Sequence, residues 1–140
     1  GLGRYDIVVS CFCAESATGD RAVWRHYMRN ILRLLAPGGL FITAGLRRCR
    51  AYHVGPHRFA CADIDEGDLA GVLIESGIER RHLQLEVHSV GPCERLGYDS
   101  IVLAAATSPT TWPLRPSAPA SATTEAPDTH RAIHRQGSTP

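Results

Sequence analysis

The chain contains no lysine. All 15 of its Lys/Arg residues are arginine, set against 14 acidic side chains for a formal net charge of +1. A balance so near zero supplies no global field to draw the chain onto nucleic acid or an anionic membrane. Long apolar runs are absent too. Spanning a bilayer takes roughly 18–20 apolar residues in a row, and no stretch approaches that. Neither a nucleic acid nor a membrane is therefore expected as a partner. Several catalytic signatures are also missing. There is no Gly-x-Ser-x-Gly elbow and no Gly-rich phosphate loop. His26, His53, His57, His82 and His88 include no His-Glu-x-x-His, and no metal site is expected.

Cysteine is present but without a recognisable framework. The five cysteines are Cys11, Cys13, Cys49, Cys61 and Cys93. An odd number without paired spacing reads as reduced thiols in a cytoplasmic setting. Cys11-x-Cys13 is not the C-x-x-C of zinc or redox sites, and the pair reads as two small buried residues on one face of a strand. The sequence opens at Gly1 and runs directly into an apolar segment, with no signal peptide in view. It reads as processed, or as a piece of something longer.

What is present fits one ordinary domain: 140 residues, 44% of them hydrophobic. Residues 5–12 form a near-continuous β-branched and apolar run, the pattern of a strand buried on both faces. Asp20 is a helix N-cap. After it Val23, Trp24, Tyr27, Met28, Ile31, Leu32, Leu34 and Leu35 recur at helical spacing. Pro37-Gly38-Gly39 ends that helix, and Leu40 to Thr43 begin the next buried strand. Residues 46–64 fit no period and read as a long ordered loop, carrying Arg47, Arg48, Arg50, His53, His57 and Arg58. Such a basic run is a solvated loop before it is a nucleic-acid surface. Asp65 caps a second helix with Leu69, Val72, Leu73 and Ile74 apolar, ending at Gly77. Residues 82–90 alternate as a half-buried strand, and 98–105 form a last strand antiparallel to it. From Thr107 the composition turns to Pro, Ser, Thr and Ala, too poor in apolar surface to offset the entropy of ordering. The expected division is a domain over 1–106 and a disordered tail over 107–140.

In open α/β sheets, ligands bind outside the carboxyl ends of the parallel strands. Two such ends occur here: Ser10-Cys11-Phe12-Cys13-Ala14-Glu15-Ser16, and Ala44-Gly45 leading into the basic loop. Residues expected near a bound molecule are thus Cys11, Phe12, Glu15, Tyr52 and Cys61. A strand-end carboxylate such as Glu15 can hold a cationic amine or serve as a solvated capping acid. Tyr52 can stack on a ring or simply pack. Cys11 and Phe12 can shape a pocket or close the strand end.

Three segments in order carry a family resemblance: S-C-F-C-A-E-S, then R-N-I-L-R-L-L-A-P-G-G-L-F-I, then A-Y-H-V-G-P-H-R-F. Over residues 5–105 the chain resembles the small-molecule methyltransferases that include the nicotinamide, phenylethanolamine and indolethylamine N-methyltransferases and the thioether S-methyltransferase. The resemblance implies an α/β fold: the C-terminal half of a Rossmann-like class I methyltransferase sheet. Its strands four to seven would be 5–12, 39–45, 82–90 and 98–105. It implies S-adenosylmethionine as cofactor, with Ser10, Cys11 and Phe12 beside the methionine portion. It further implies a small amine as substrate, with Glu15 at an acidic position that approaches the amine. Tyr52 would stand in the substrate pocket, and Cys61 where some members carry Ser. No catalytic nucleophile is implied, because the methyl sulfonium is already activated. The nicotinamide enzyme carries an Asp at the end of its fifth strand; Ala44 or Gly45 stands here, which argues against nicotinamide itself. The Gly-rich loop and ribose-binding acid belong to the family's N-terminal half, and neither occurs in this sequence. The partner expected is therefore that half, or a second copy pairing through strand 5–12. The competing reading is a non-catalytic remnant or partner subunit that pairs through the same strand.

Overall fold

The computed structural model describes residues 4–91 and 97–111. Four strands form one sheet: β1 (Tyr5–Cys11), β2 (Leu35–Arg47), β5 (Leu83–Ser89) and β6 (Ser100–Thr107), in the order β1-β2-β6-β5. β1 and β2 are parallel, while β6 runs antiparallel to both β2 and β5. The antiparallel pairing expected for the last two strands is thus observed. Between β2 and β5 lie a hairpin, β3 (Ala51–Val54) with β4 (His57–Ala60), and helix α2 (Glu66–Glu75). Helix α1 (Arg21–Leu32) makes the crossover between β1 and β2.

Both helices begin where an aspartate can take up free backbone N–H groups. The Asp20 carboxylate accepts from Ala22 N at 2.6 Å and Val23 N at 3.2 Å. Asp65 and Asp68 form a reciprocal capping box at the start of α2. The buried stripe of α1 is narrower than the sequence pattern predicts. Trp24, Met28 and Leu32 are buried, whereas Val23 and Tyr27 are exposed. The helix also ends earlier, at Leu32. Leu35 already belongs to β2 and pairs with Tyr5. Pro37-Gly38-Gly39 therefore does not stop the helix; it forms an irregularity within β2, where the register with β1 shifts between Tyr5 and Ile7.

The core lies on one side of the sheet. Val8, Phe41, Val102, Ala104 and Ala106 face Trp24, Met28 and Leu32 of α1 and Leu69, Val72 and Leu73 of α2. Burying that apolar surface is the main stabilising term, at about 25 cal/mol per Å². The opposite face is uncovered along β1 among the described residues, whereas its far end at Leu46 and Ile101 packs with Cys49, Cys61, Tyr52 and Tyr98. Tyr5, Ile7 and Val9 are 57%, 60% and 61% exposed, and Ile42, the register partner of Val9, is exposed beside them. The expectation that residues 5–12 are buried on both faces is therefore corrected. Both helices lie on the same side, so only the even-numbered residues Val8 and Ser10 are covered.

The loop predicted over 46–64 is corrected as well, since its middle is the β3–β4 hairpin. Tyr52 and Phe59 are paired across it, with ring centroids 5.4 Å apart. Ionic contacts fix its approaches. Arg47 grips Glu66 with two bonds of 2.6 and 2.9 Å. Arg50 reaches Asp63 at 3.0 Å. Strand β6 and the contacts that follow it continue past residue 106. Buried Ser108 donates its hydroxyl to Ala36 O at 2.7 Å and receives Gly39 N–H at 3.0 Å, while Gly38 N–H reaches Pro109 O at 3.2 Å. These bonds tie the end of β6 to the irregular segment of β2. The rest of the tail expected to be disordered, residues 112–140, lies outside the described residues, as does Cys93.

Candidate functional site

The carboxyl ends of β1 and β2 lie side by side, with Cys11 in register with Ala44. The next residue, Phe12, keeps one further ladder bond, its N–H to Ala44 O at 2.8 Å. Its backbone then enters the left-handed region at φ 52°. For a residue with a bulky side chain this costs on the order of 1–3 kcal/mol, and such strain concentrates at ligand sites. The turn leaves the Phe12 ring partly exposed at the strand end.

A cleft of about 290 Å³ opens beside it, lined by Phe12, Ser16, Leu46, Tyr52, His53 and Tyr98. These residues come from four places: the β1–α1 segment, the end of β2, strand β3, and the approach to β6. The topology explains the convergence. β6 is antiparallel to β2 and pairs Ser100 with Arg47, so the residues before β6 arrive at the end where β2 finishes. The hairpin folds over the same end, and the Tyr52 hydroxyl donates to Ser16 O at 3.3 Å. Gly97 allows the close fit. It has φ 85°, and a Cβ there would strike the Ala51 carbonyl.

Of the residues expected at the site, Phe12 and Tyr52 line this cleft. Cys11 is exposed at the end of β1, as is Cys13, so the buried reading of that pair is corrected. The left-handed turn at Phe12 carries the chain out of the sheet just before Cys13. Ser10 is buried, with its carbonyl accepting from Thr43 Oγ1 at 2.7 Å. Glu15 and Cys61 are not among the lining residues; both are buried behind it.

Glu15 is only 4% exposed. Its Oε1 accepts from Leu46 N–H at 3.1 Å, and its main-chain carbonyl accepts from Ala62 N–H at 3.0 Å. The carboxylate occupies the space that a side chain at residue 45 would need: a Cβ on Gly45 would stand 3.3 Å from Glu15 Cδ. Burial pushes the Glu15 carboxyl above the ordinary carboxylate range, against the opposing pull of its backbone hydrogen bonds. Cys61 and Cys49 form a small buried cluster with Leu46, packed against Tyr52, Tyr98 and Ile101. Burial drives the Cys61 thiol up to about 12 and also raises Cys49. Both thiols stay protonated at neutral pH and are poor nucleophiles.

Ser16, Leu46, His53 and Tyr98 are lining residues that the sequence reading does not single out. A signal for Tyr98 existed. An antiparallel last strand must start at the end where its parallel neighbour stops. His53 had only its place beside Tyr52. Among the described residues, no group of three or more His, Cys, Asp or Glu side chains is placed to hold a metal ion.

Solved structures of methyltransferases superpose on this mixed α/β sheet. The N-methyltransferase NodS from Bradyrhizobium japonicum matches with a TM-score of 0.51 and 20% identity, over 78% of this chain and 53% of its own. A SAM-dependent methyltransferase from Methanosarcina mazei matches with a TM-score of 0.58 and 13% identity, over 76% and 61%. At sequence level the family is explicit. The profile of the NNMT/PNMT/TEMT family matches residues 3–107, and the chain belongs to that family. Phenylethanolamine N-methyltransferase of Macaca mulatta is 32% identical over 79 residues, which is 56% of this chain and 28% of that enzyme. Indolethylamine N-methyltransferase of Oryctolagus cuniculus is 26% identical over 78 residues, 56% and 30%. The aligned part of the chain thus spans less than a third of the length of these relatives. Family and fold are those of S-adenosylmethionine-dependent methyltransferases, which are enzymes.

Proposed function

We propose that this chain supplies the acceptor side of an S-adenosylmethionine-dependent N-methyltransferase for a small amine. The observation that carries the reading is the cleft at the ends of β1 and β2, walled by Phe12 and Tyr52, in a chain that belongs to this family. In this reading β1, β2, β5 and β6 are the family's strands four, five, six and seven. The sheet order β1-β2-β6-β5 supports that numbering. S-adenosylmethionine, when bound, supplies a methyl group already activated on sulfonium sulfur. The exposed side chains of Cys11 and Phe12, free of the core, fit a role beside its methionine portion, with Ser10 fixing the strand beneath them.

The chain's own task is then to hold a neutral nitrogen in line with the methyl group and keep water out. Phe12, Leu46 and Tyr52 provide the apolar walls. Glu15 acts from behind the wall, where its carboxylate holds the Leu46 amide. A cysteine nucleophile plays no part, which agrees with the raised Cys49 and Cys61. The partial span of the relatives, and an outer edge of β1 left unpaired among the described residues, support completion of the cofactor site by further strands. The free, exposed Cys11 and Cys13 fit a reducing, cytoplasmic setting.

The test is transfer of label from S-[methyl-³H]adenosylmethionine to a panel of small amines by the full-length protein. Labelled, N-methylated product is expected. Protein that binds the cofactor yet labels no amine would remove the proposal.

A further inference from the structure

Two buried thiols have no role in the reading above. Cys49 and Cys61 stand on opposite sides of the base of the β3–β4 hairpin, just before Ala51 and just after Ala60, which are paired in register. The hydrogen bonding continues past that pair. Cys61 N–H reaches Arg50 O at 3.0 Å, and Asp63 N–H reaches Cys49 O at 2.9 Å. The two side chains, 0% and 2% exposed, meet in one cluster with Leu46. Their thiols are hydrogen-bonding partners of each other, and both are free. Tyr52 and Tyr98, two walls of the cleft, pack on the same cluster.

A disulfide needs two cysteines whose side chains already face each other, because its geometry tolerates little backbone movement. This pair meets that condition, with the backbone held on both sides. We propose that Cys49 and Cys61 are a reversible redox site, a dithiol that closes to a disulfide and staples the base of the hairpin behind the cleft. The co-reactant is a low-molecular-weight disulfide. One cysteine, as thiolate, attacks a sulfur of that disulfide, forms a mixed disulfide and expels one small thiolate. The second cysteine, as thiolate, attacks the protein sulfur of the mixed disulfide, forms the Cys49–Cys61 bond and expels the other small thiolate. The dithiol is oxidised by two electrons, the small disulfide is reduced by two, and the two cysteine protons pass to the released thiolates.

The hairpin gates this exchange. While it is closed, burial keeps both thiols protonated and away from solvent. β3 and β4 pair only with each other, and β4 is exposed throughout. Few buried contacts and exposed backbone bonds mark a unit that opens locally. Opening returns the thiols to water and restores their thiolate character. The disulfide, once formed, holds the base of the hairpin shut and restrains the wall that Tyr52 makes. None of these steps depends on what the cleft binds.

The experiment treats the full-length protein with oxidised glutathione under native conditions, raising its concentration until exposed Cys11 and Cys13 are oxidised. Disulfides are mapped by mass spectrometry, and hairpin opening by amide hydrogen exchange. A Cys49–Cys61 cross-linked peptide is expected, reversed by dithiothreitol. Exchange at residues 51–60 is expected to slow on the order of tenfold in the oxidised protein, as closing a short loop restricts its opening. Cys49→Ala under the same treatment is expected to show no slowing, which assigns the effect to the cross-link. The mapping on the parent protein stands without any variant. Cys49 and Cys61 remaining free thiols after Cys11 and Cys13 are oxidised overturns the proposal. So does a lasting glutathione adduct on either buried cysteine, pairing of either with another thiol, or a cross-link that leaves exchange in the hairpin unchanged. Methyl transfer is not part of the readout, so failure of the proposed activity leaves this result untouched.

Discussion

The two faces of the four-stranded sheet are written in the same residue types and meet opposite surroundings. On one face Val8, Phe41 and Val102 are covered by Trp24, Met28, Leu69 and Leu73. On the other, Tyr5, Ile7, Val9 and Ile42 stand open. Within β1, simple alternation puts Val8 in the first set and Tyr5, Ile7 and Val9 in the second. The contrast shows that a β-branched apolar run specifies a strand but not what covers it. The cover comes from the helices, and α1 and α2 both fold onto the same face.

The largest test of this contrast is a paired truncation. Phe41→Ala or Trp24→Ala on the covered face should cost about 3–5 kcal/mol, read as a lower urea midpoint at unchanged slope. Ile7→Ala on the open face should stay within about 0.5 kcal/mol. Similar losses at the two positions would mean that something else covers the open face in solution.

A second test asks what meets that face and the adjoining edge of β1. Exposed apolar strand edges invite pairing, and charge on them discourages it. The chain of residues 1–140 is expected to self-associate in sedimentation velocity, and the double change Ile7→Lys with Val9→Lys to shift it toward monomer. A monomeric parent chain would show that the open face attracts no second copy.

Much of this arrangement is legible in the sequence, and the failures have physical causes. Both helix starts are marked by Asp20 and Asp65, because capping is a local interaction set by one side chain and the next few N–H groups. The last two strands and their antiparallel pairing follow from alternation and a short connection. The hairpin was not legible: residues 51–60 lack alternation because β3 and β4 pair only with each other and lie largely exposed. The end of α1 is not legible because Leu34 and Leu35 continue the helical apolar spacing, while Leu34 O already accepts from Tyr5 N–H and Leu35 opens β2. Phe12 and Tyr52 reach the cleft as the strand-end argument expects. His53 and Tyr98 are brought there by contacts distant in sequence, which no local pattern records.

Smaller effects come from two carboxylates, Glu66 and Glu15. The Arg47 guanidinium, bonded twice to Glu66, holds that carboxyl at about 2, below its ordinary value. A depressed carboxyl contributes stability that is present above its unfolded value near 4.5 and is lost as pH falls toward 2. Glu66→Gln should therefore flatten the acid limb of a stability-against-pH curve in that window. The change should be modest, because the Glu66 side chain is 39% exposed and solvent screens the pair. Glu15 has the opposite sign. Burial raises its folded value, so its contribution is fullest below 4.5 and is lost as pH rises through the raised value. Glu15→Gln keeps an oxygen for the Leu46 N–H and should be at least as stable as the parent at pH 7. A marked loss at pH 7, in thermal melts that retain the fold, would mean the buried carboxylate has a charged partner after all.

The central claim is that the cleft at the ends of β1 and β2 receives the methyl acceptor. The most direct measurement is steady-state methyl transfer from S-adenosylmethionine to the best amine of the panel, comparing the full-length protein with its Tyr52→Ala variant. The account predicts a KM for the amine raised about tenfold or more, the loss of one aromatic wall, with the KM for S-adenosylmethionine little changed. Equal amine KM values for the two proteins would contradict it and place the acceptor elsewhere.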